Sequence, residues 1–412
     1  MRVVRCVATL GGAAGLLWLS AVQAQVGQTP GERFTVRPAD LPAPYATPSA
    51  SNPPRRVARP DGVGLNVPPG FASNVFADGL THPRWLAVAP NGDVLLAESA
   101  IGRITLLRDA DGDGRAETVA TFLEGLSRPH GMAFGRDGFY VADVNGVFRI
   151  PYQPGDIRAR GEPRPITEPG ALGPGSGHWT RNIVFNRAGD KLYVAVGSRS
   201  NIGEEDEIRA AMLEFGADGG GRRVYAGGLR NPVGIAFRPG TDELWAVVNE
   251  RDGLGDGLVP DYLTQVIAGE FYGWPYAYIG RNPQPGFAER RPDLVQRTRV
   301  PDLLFQSHSA PIGLVFYSGE SFPEEFRGNA FVALRGSWNS GQPTGYKVVR
   351  VPFRNGRPVG HYENFATGFW IAGEDTARVW GRPAGLAVAR DGALLIADDT
   401  GQSVWRVAWR GR

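Results

Sequence analysis

Three of the five histidines in this 412-residue chain, His130, His178 and His308, stand at the head of short apolar runs of strand length. Arg230, Asn231 and Arg382 hold the same place in other segments. Histidine has its ordinary pKa near neutrality, which suits a base that takes a proton from a hydroxyl. Arginine stays charged and pairs with carboxylates through two parallel hydrogen bonds, so a group of arginines suits an anionic ligand or developing negative charge. Together these residue types point to proton abstraction beside a bound anion. Any one of them alone would serve as well to hydrogen-bond a neighbouring loop; their recurrence at one position of successive segments predicts a shared site.

The segments that carry them repeat. Each has a Pro or Arg, a small residue, an apolar strand, a Gly/Asp turn and a second apolar strand. The pattern runs from His82-Pro83-Arg84-Trp85 through Asn91-Gly92-Asp93 to Val94-Leu95-Leu96-Ala97-Glu98. It returns at Pro129-His130-Gly131 with Phe139–Asp143, at His178-Trp179-Thr180-Arg181 with Leu192–Val196, and at Arg230-Asn231-Pro232 with Leu244–Val248. A degenerate fifth copy, Ala310-Pro311-Ile312-Gly313, reaches its second strand Ala330–Leu334 after an insertion, and the sixth is Arg382-Pro383-Ala384-Gly385 with Leu394–Asp398. Paired apolar runs bounded by turn residues are the inner strands of four-stranded units. Six such units closed in a ring predict one all-β domain over residues 65–412, a six-bladed β-propeller with the leading residues around one mouth of its channel. A seventh blade built from residues 262–308 is the alternative.

Composition agrees with this class. With 57 Gly and 33 Pro, long helices are disfavoured and many short strands favoured. A formal charge of +2 without a dense basic run excludes nucleic acid as a partner. Arg2 and Arg5, an apolar stretch to Val22 and the small Ala24 read as a signal peptide over residues 1–24, placing the mature chain in the periplasm or outside the cell with no membrane span. The single cysteine, Cys6, would leave with it, so no disulfide or thiol is expected. Residues 25–64 are rich in proline and poor in apolar positions, and are expected to form an extended linker or a strap over the surface.

Three stretches carry a family resemblance: Gly177-His178-Trp179-Thr180-Arg181-Asn182, Gly228-Leu229-Arg230-Asn231-Pro232 and Phe271-Tyr272-Gly273-Trp274-Pro275. In order and spacing they resemble the signatures of the soluble glucose/sorbosone dehydrogenases. Asn249-Glu250-Arg251-Asp252 and Leu334-Arg335-Gly336-Ser337-Trp338-Asn339 are most similar to the sorbosone dehydrogenase-like branch. The resemblance implies a six-bladed propeller that holds pyrroloquinoline quinone (PQQ) and Ca²⁺ at the channel mouth and oxidises an aldose or a sugar-derived aldehyde. It places the catalytic base at His178 and the charge-stabilising Arg230 beside Asn231 near the reacting carbonyl. Arg335 and Arg382 would pair with cofactor carboxylates, and the carbonyls of Asp252 and Gly253 would bind Ca²⁺. His130, one repeat earlier, is a further residue for the cofactor, and the base if the register is displaced. Without a Cys-x-x-Cys-His haem motif, electrons would pass to a separate acceptor such as a quinone or cytochrome. Three departures stand out: Gly177 replaces an acidic residue before the base, Arg335 replaces a lysine, and Arg382 is the one arginine left of an Arg-x-Arg pair.

Asp109-Ala110-Asp111-Gly112-Asp113 has the alternating carboxylates of a Ca²⁺ loop, but Ala120 stands where an EF-hand needs Glu, so a plain turn is the simpler expectation. Other propeller chemistries stay open: a metal-dependent lactonase with Glu98, Asn182, Asn231 and Asp398 as ligands, or a binding propeller without catalysis.

Overall fold

The computed structural model describes residues 27–411; the expected signal segment lies outside the described residues. Among the described residues the chain is all-β, with one short α-helix at Pro292–Arg297 and three single-turn 3-10 helices. Six antiparallel sheets carry the six sequence repeats. Their first strands are Pro83–Val88, Met132–Gly135, Arg181–Phe185, Pro232–Phe237, Pro311–Phe316 and Pro383–Val388. Each of these touches the next, and the sixth touches the first, so the contacts run in a cycle. The insertion at residues 262–308 gives Tyr262–Val266 and Leu303–Leu304 to the fourth sheet and a two-stranded ribbon, Ala277–Tyr278 with Asn282–Pro283; it makes no four-stranded sheet of its own.

The repeated Pro-x-Gly sequence explains how first strands come so close. The leading prolines Pro83, Pro232, Pro311 and Pro383 pair with the last residue of the second strand, and the register then slips at a bulge. At Gly313 a side-chain carbon would lie 2.1 Å from the Ala384 carbonyl oxygen, and at Gly385 one would lie 2.6 Å from that of Arg84. Only hydrogen fits there. Second strands such as Val94–Glu98 and Leu394–Asp398 are wholly buried, which accounts for the four apolar residues in a row that precede the closing acid of each.

The sixth sheet takes its outer strand from the other end of the chain: Phe71–Ala77 pairs antiparallel with Ser403–Trp409. Ahead of that strand, the proline-rich segment pairs Arg33–Phe34 with Tyr362–Ala366 and lays Arg55–Arg56 parallel to Arg378–Val379.

Candidate active site

A cavity of about 390 Å³ lies where first strands begin and second strands end. His178, Arg230, Asn231, Asp252, Arg335 and Arg382 all line it, although they come from four different repeats. Because the sheets share one strand order, residues in equivalent positions converge. His82, Arg128, His308 and Ala310, all at or near the cavity, have positive φ between 53° and 65°. Such backbone costs about 1–3 kcal/mol per residue and concentrates at functional sites.

At one end, His178 is fixed by its own loop. Its Nδ1 lies 2.9 Å from the Ser198 carbonyl oxygen and 3.0 Å from Ser198 Oγ. The carbonyl can only accept, so Nδ1 carries the proton and the Nε2 lone pair is left free. Burial, and then the positive charge of Arg230, bring the ring's pKa down to about 4. The imidazole is therefore a neutral base at neutral pH.

Arg230 is buried, and its charge is held by neutral acceptors. Nε donates to the Asn201 carbonyl at 3.0 Å, Nη2 to Asn201 Oδ1 at 2.9 Å and Nη1 to the Glu250 carbonyl at 2.6 Å. Its nearest carboxylate, Asp252, is 3.9 Å away. Asn201 is held in turn by the Trp274 indole N–H, which donates to its carbonyl at 3.1 Å. This connects the Tyr-Gly-Trp-Pro stretch to the site. Asn231 Oδ1 is buried with no hydrogen-bond partner.

The opposite wall is cationic. Arg84, Arg128, Arg335 and Arg382 line it around one buried carboxylate, Asp399. Arg84 and Arg335 bond Asp399 Oδ2 at 2.5 and 2.7 Å. Burial opposes ionisation of Asp399, but Arg335 and Arg84 outweigh it and hold the carboxyl well below its usual range. Arg382 Nε donates to the Arg335 carbonyl at 3.0 Å, and Arg128 stacks 4.3 Å over the Trp179 ring. One carboxylate among four guanidinium groups leaves a surplus of positive charge, and the buried Arg84 Nε has no acceptor. Trp338, half exposed, stands at the rim.

Several expectations need correction. His130 does not open to the cavity: it is 1 % exposed and packs against the rings of Trp85 and Trp179. The Asp252 carbonyl already accepts from Asn201 Nδ2 at 3.0 Å and Arg251 Nε at 2.9 Å, which fills both lone pairs, and Gly253 is not on the cavity wall. This oxygen pair does not fit a Ca²⁺ ion. The lactonase ligand set is not assembled either. Asp398 Oδ1 accepts the backbone N–H groups of Arg382, Thr400 and Gly401, Glu98 accepts from Thr81 and Arg103, and Asn182 bonds Val233 and Ile183; of the four, only Asn231 reaches the cavity.

Sequence reasoning missed Arg84, Arg128, Asp399 and Asn201. Arg84 had a signal, since it belongs to the leading motif of the first repeat, but it follows the proline where the other arginines precede it. Asn201 sits in a loop with no repeat equivalent and had none.

Sheets meeting in a cycle, with a base and a cationic wall at one mouth, define a class of protein; comparison identifies the family within it. The family described as TrAA12-like matches residues 65–259 and 293–410, and the chain belongs to it. Residues 214–337 also match the Glucose / Sorbosone dehydrogenase family. An uncharacterized protein of Borreliella burgdorferi is 26% identical over 355 residues, which cover 83% of this chain and 90% of that protein. The pyrroloquinoline quinone-dependent pyranose dehydrogenase of Coprinopsis cinerea is 26% identical over 420 residues, which cover 83% of this chain and 54% of that protein. The chain thus spans about half the length of this relative. Its fold is that of the holo PQQ domain of the Coprinopsis enzyme, with a TM-score of 0.72 at 21% identity over 86% of this chain and 99% of that one. The PQQ-bound aldose sugar dehydrogenase of Streptomyces coelicolor gives a TM-score of 0.58 at 19% identity, over 83% and 99%.

Proposed function

We propose that this chain is a PQQ-dependent dehydrogenase that oxidises a sugar, an aldose or a sorbosone-like aldehyde, at the mouth of a six-bladed β-propeller. The cyclic contacts of the six first strands support the propeller. The observation that carries the activity is the juxtaposition of a neutral His178, its Nε2 free, with a cationic wall across one cavity.

The residues present suit PQQ. A planar tricarboxylate needs several fixed cations, and Arg84, Arg128, Arg335 and Arg382 supply them, with the orphaned Arg84 Nε among the donors. When bound, PQQ supplies the two-electron acceptor. His178 Nε2 takes the proton of the sugar hydroxyl as the carbinol carbon gives up its hydride, and the Ser198 carbonyl steadies the imidazolium that forms. Arg230, buried and with its nearest carboxylate, Asp252, 3.9 Å away, stabilises negative charge arising at its end of the cavity. Trp338 offers an apolar face to a sugar ring.

The electrons leave to a separate acceptor, and export through residues 1–24 places the enzyme in the periplasm or outside the cell. N-terminal sequencing of mature protein beginning near Gln25 tests the export. Purified protein titrated with PQQ, with and without Ca²⁺, and assayed for dye reduction with aldoses and aldehydes tests the activity. Bound PQQ with no turnover of any sugar would overturn it.

A further inference from the structure

Two loops bring Asp252, Trp338 and Asn339 to the cavity, and both lie beneath the proline-rich segment that precedes the repeats. Residues 252–257 are held by that segment at two points: the Tyr45 N–H donates to the Leu254 carbonyl at 2.8 Å, and Thr47 Oγ1 accepts the Asp256 N–H at 2.8 Å. At Gly255 a side-chain carbon would lie 2.6 Å from the Thr47 carbonyl oxygen, so the loop sequence leaves room for the strap and nothing else. The second loop, 337–341, is held through Asn52. Its N–H donates to the Trp338 carbonyl at 2.7 Å, and its Nδ2 donates to the carbonyls of Ser340 at 3.0 Å and Asp375 at 2.6 Å. Thr376 Oγ1 donates to Asn52 Oδ1 at 2.8 Å. One side chain therefore uses three bonds to join the second loop to residues 375–376. The loops also bond each other: the Gly341 N–H reaches the Asp256 carboxylate at 3.0 Å, and Asn339 Nδ2 donates to Asp252 Oδ1.

We propose that Asn52 is a positioning residue for this cavity: through the Trp338–Ser340 backbone it sets where Trp338 and Asn339 stand, and through Asn339 it fixes the Asp252 carboxylate near Arg230. A short loop with few contacts of its own samples many conformations, and every bond from a fixed strap removes some of them before a ligand arrives. The effect on ligand rests on the function proposed above; the clasp itself does not. The base, His178, belongs to another loop bonded to Ser198 and is untouched by the strap.

The test is Asn52→Ala in the full chain, followed by hydrogen–deuterium exchange and PQQ titration through tryptophan fluorescence. Amides of 252–257 and 337–341 are expected to exchange about 10-fold faster while those of the second sheet do not change. PQQ Kd and sugar KM are expected to rise about 10-fold, with kcat within about twofold. Asn52→Asp, which keeps the acceptor for Thr376 but loses both side-chain donors, should behave as the alanine variant does. Unchanged exchange in both loops overturns the clasp, and faster exchange with unchanged Kd and KM overturns its role in positioning. Should Asn52→Ala fail to fold, Thr47→Val removes the acceptor for Asp256 and is read in the same way. If the parent itself binds no PQQ, that failure belongs to the proposed function, and the exchange measurement still decides the clasp.

Discussion

At the scale of single residues, the site turns on which ring nitrogen of His178 holds the proton. The bond from Nδ1 to the Ser198 carbonyl decides this, while burial and the charge of Arg230, acting against that bond, depress the ring's pKa and give the base a measurable signature. A base works only when deprotonated, so kcat/KM should stay level as pH falls from neutrality and drop only as it passes through about 4, where a free imidazole would have lost activity near 6.5. His178→Gln should leave folding and PQQ binding intact and lower turnover by about 10²–10⁴-fold, the range for losing a positioned proton acceptor. Steady-state assays of parent and variant across pH check both expectations. On the far wall, Arg335→Ala and Arg382→Ala should each weaken PQQ binding by about 2–5 kcal/mol in a fluorescence titration, because a desolvated carboxylate is then left unpaired. Arg335→Ala carries a second effect. It strips one of the two arginines that bond Asp399, so this variant should also lose thermal stability.

Among the elements, one device recurs that the residue types did not announce. An acidic residue ends or directly follows the second strand of three repeats, and its carboxylate collects a backbone N–H ahead of the first strand and, in two of them, others in the turn that follows the second. Asp143 accepts from Ser127, Asn145 and Gly146, and Asp398 from Arg382, Thr400 and Gly401. Glu98 does the same for Thr81. The carboxylates thereby fix the loops that carry Arg128 and Arg382 to the cavity. Each buried N–H left without an acceptor costs about 1–3 kcal/mol, so Asp143→Ala should lower the unfolding free energy in urea by about 3 kcal/mol and move the Arg128 loop with it. The repeats themselves were legible, because apolar strand pairs between Gly/Asp turns have few other readings. The shared mouth was legible too, since residues in equivalent positions of repeats must converge. The roles of Glu98 and Asp398 were not: an acid beside a site looks like a metal ligand until Asp398 Oδ1 is seen to be taken by three backbone N–H groups and Glu98 by Thr81, Arg103 and Thr105. His130 failed for a related reason, because its place in the repeat is right but Trp179, from the next repeat, covers it.

For the molecule as a whole, the seam in the sixth sheet sets the terms of stability. Phe71–Ala77 has its sheet partner in Ser403–Trp409, and the same strand also flanks Leu394–Asp398, next to the strand that Arg382 heads. Ending the chain before Ser403 should therefore abolish cooperative thermal unfolding seen by circular dichroism and expose the Phe71 strand to protease, whereas removal of the exposed Arg410 alone should do neither. The seam also governs how the protein comes into being. Phe71–Ala77 waits for Ser403–Trp409, so a nascent chain can complete five sheets in turn but holds the sixth open until Ser403–Trp409 has been made. Throughout that time the ring is an arc with two unpaired edges, and it becomes resistant to unfolding in a single late event.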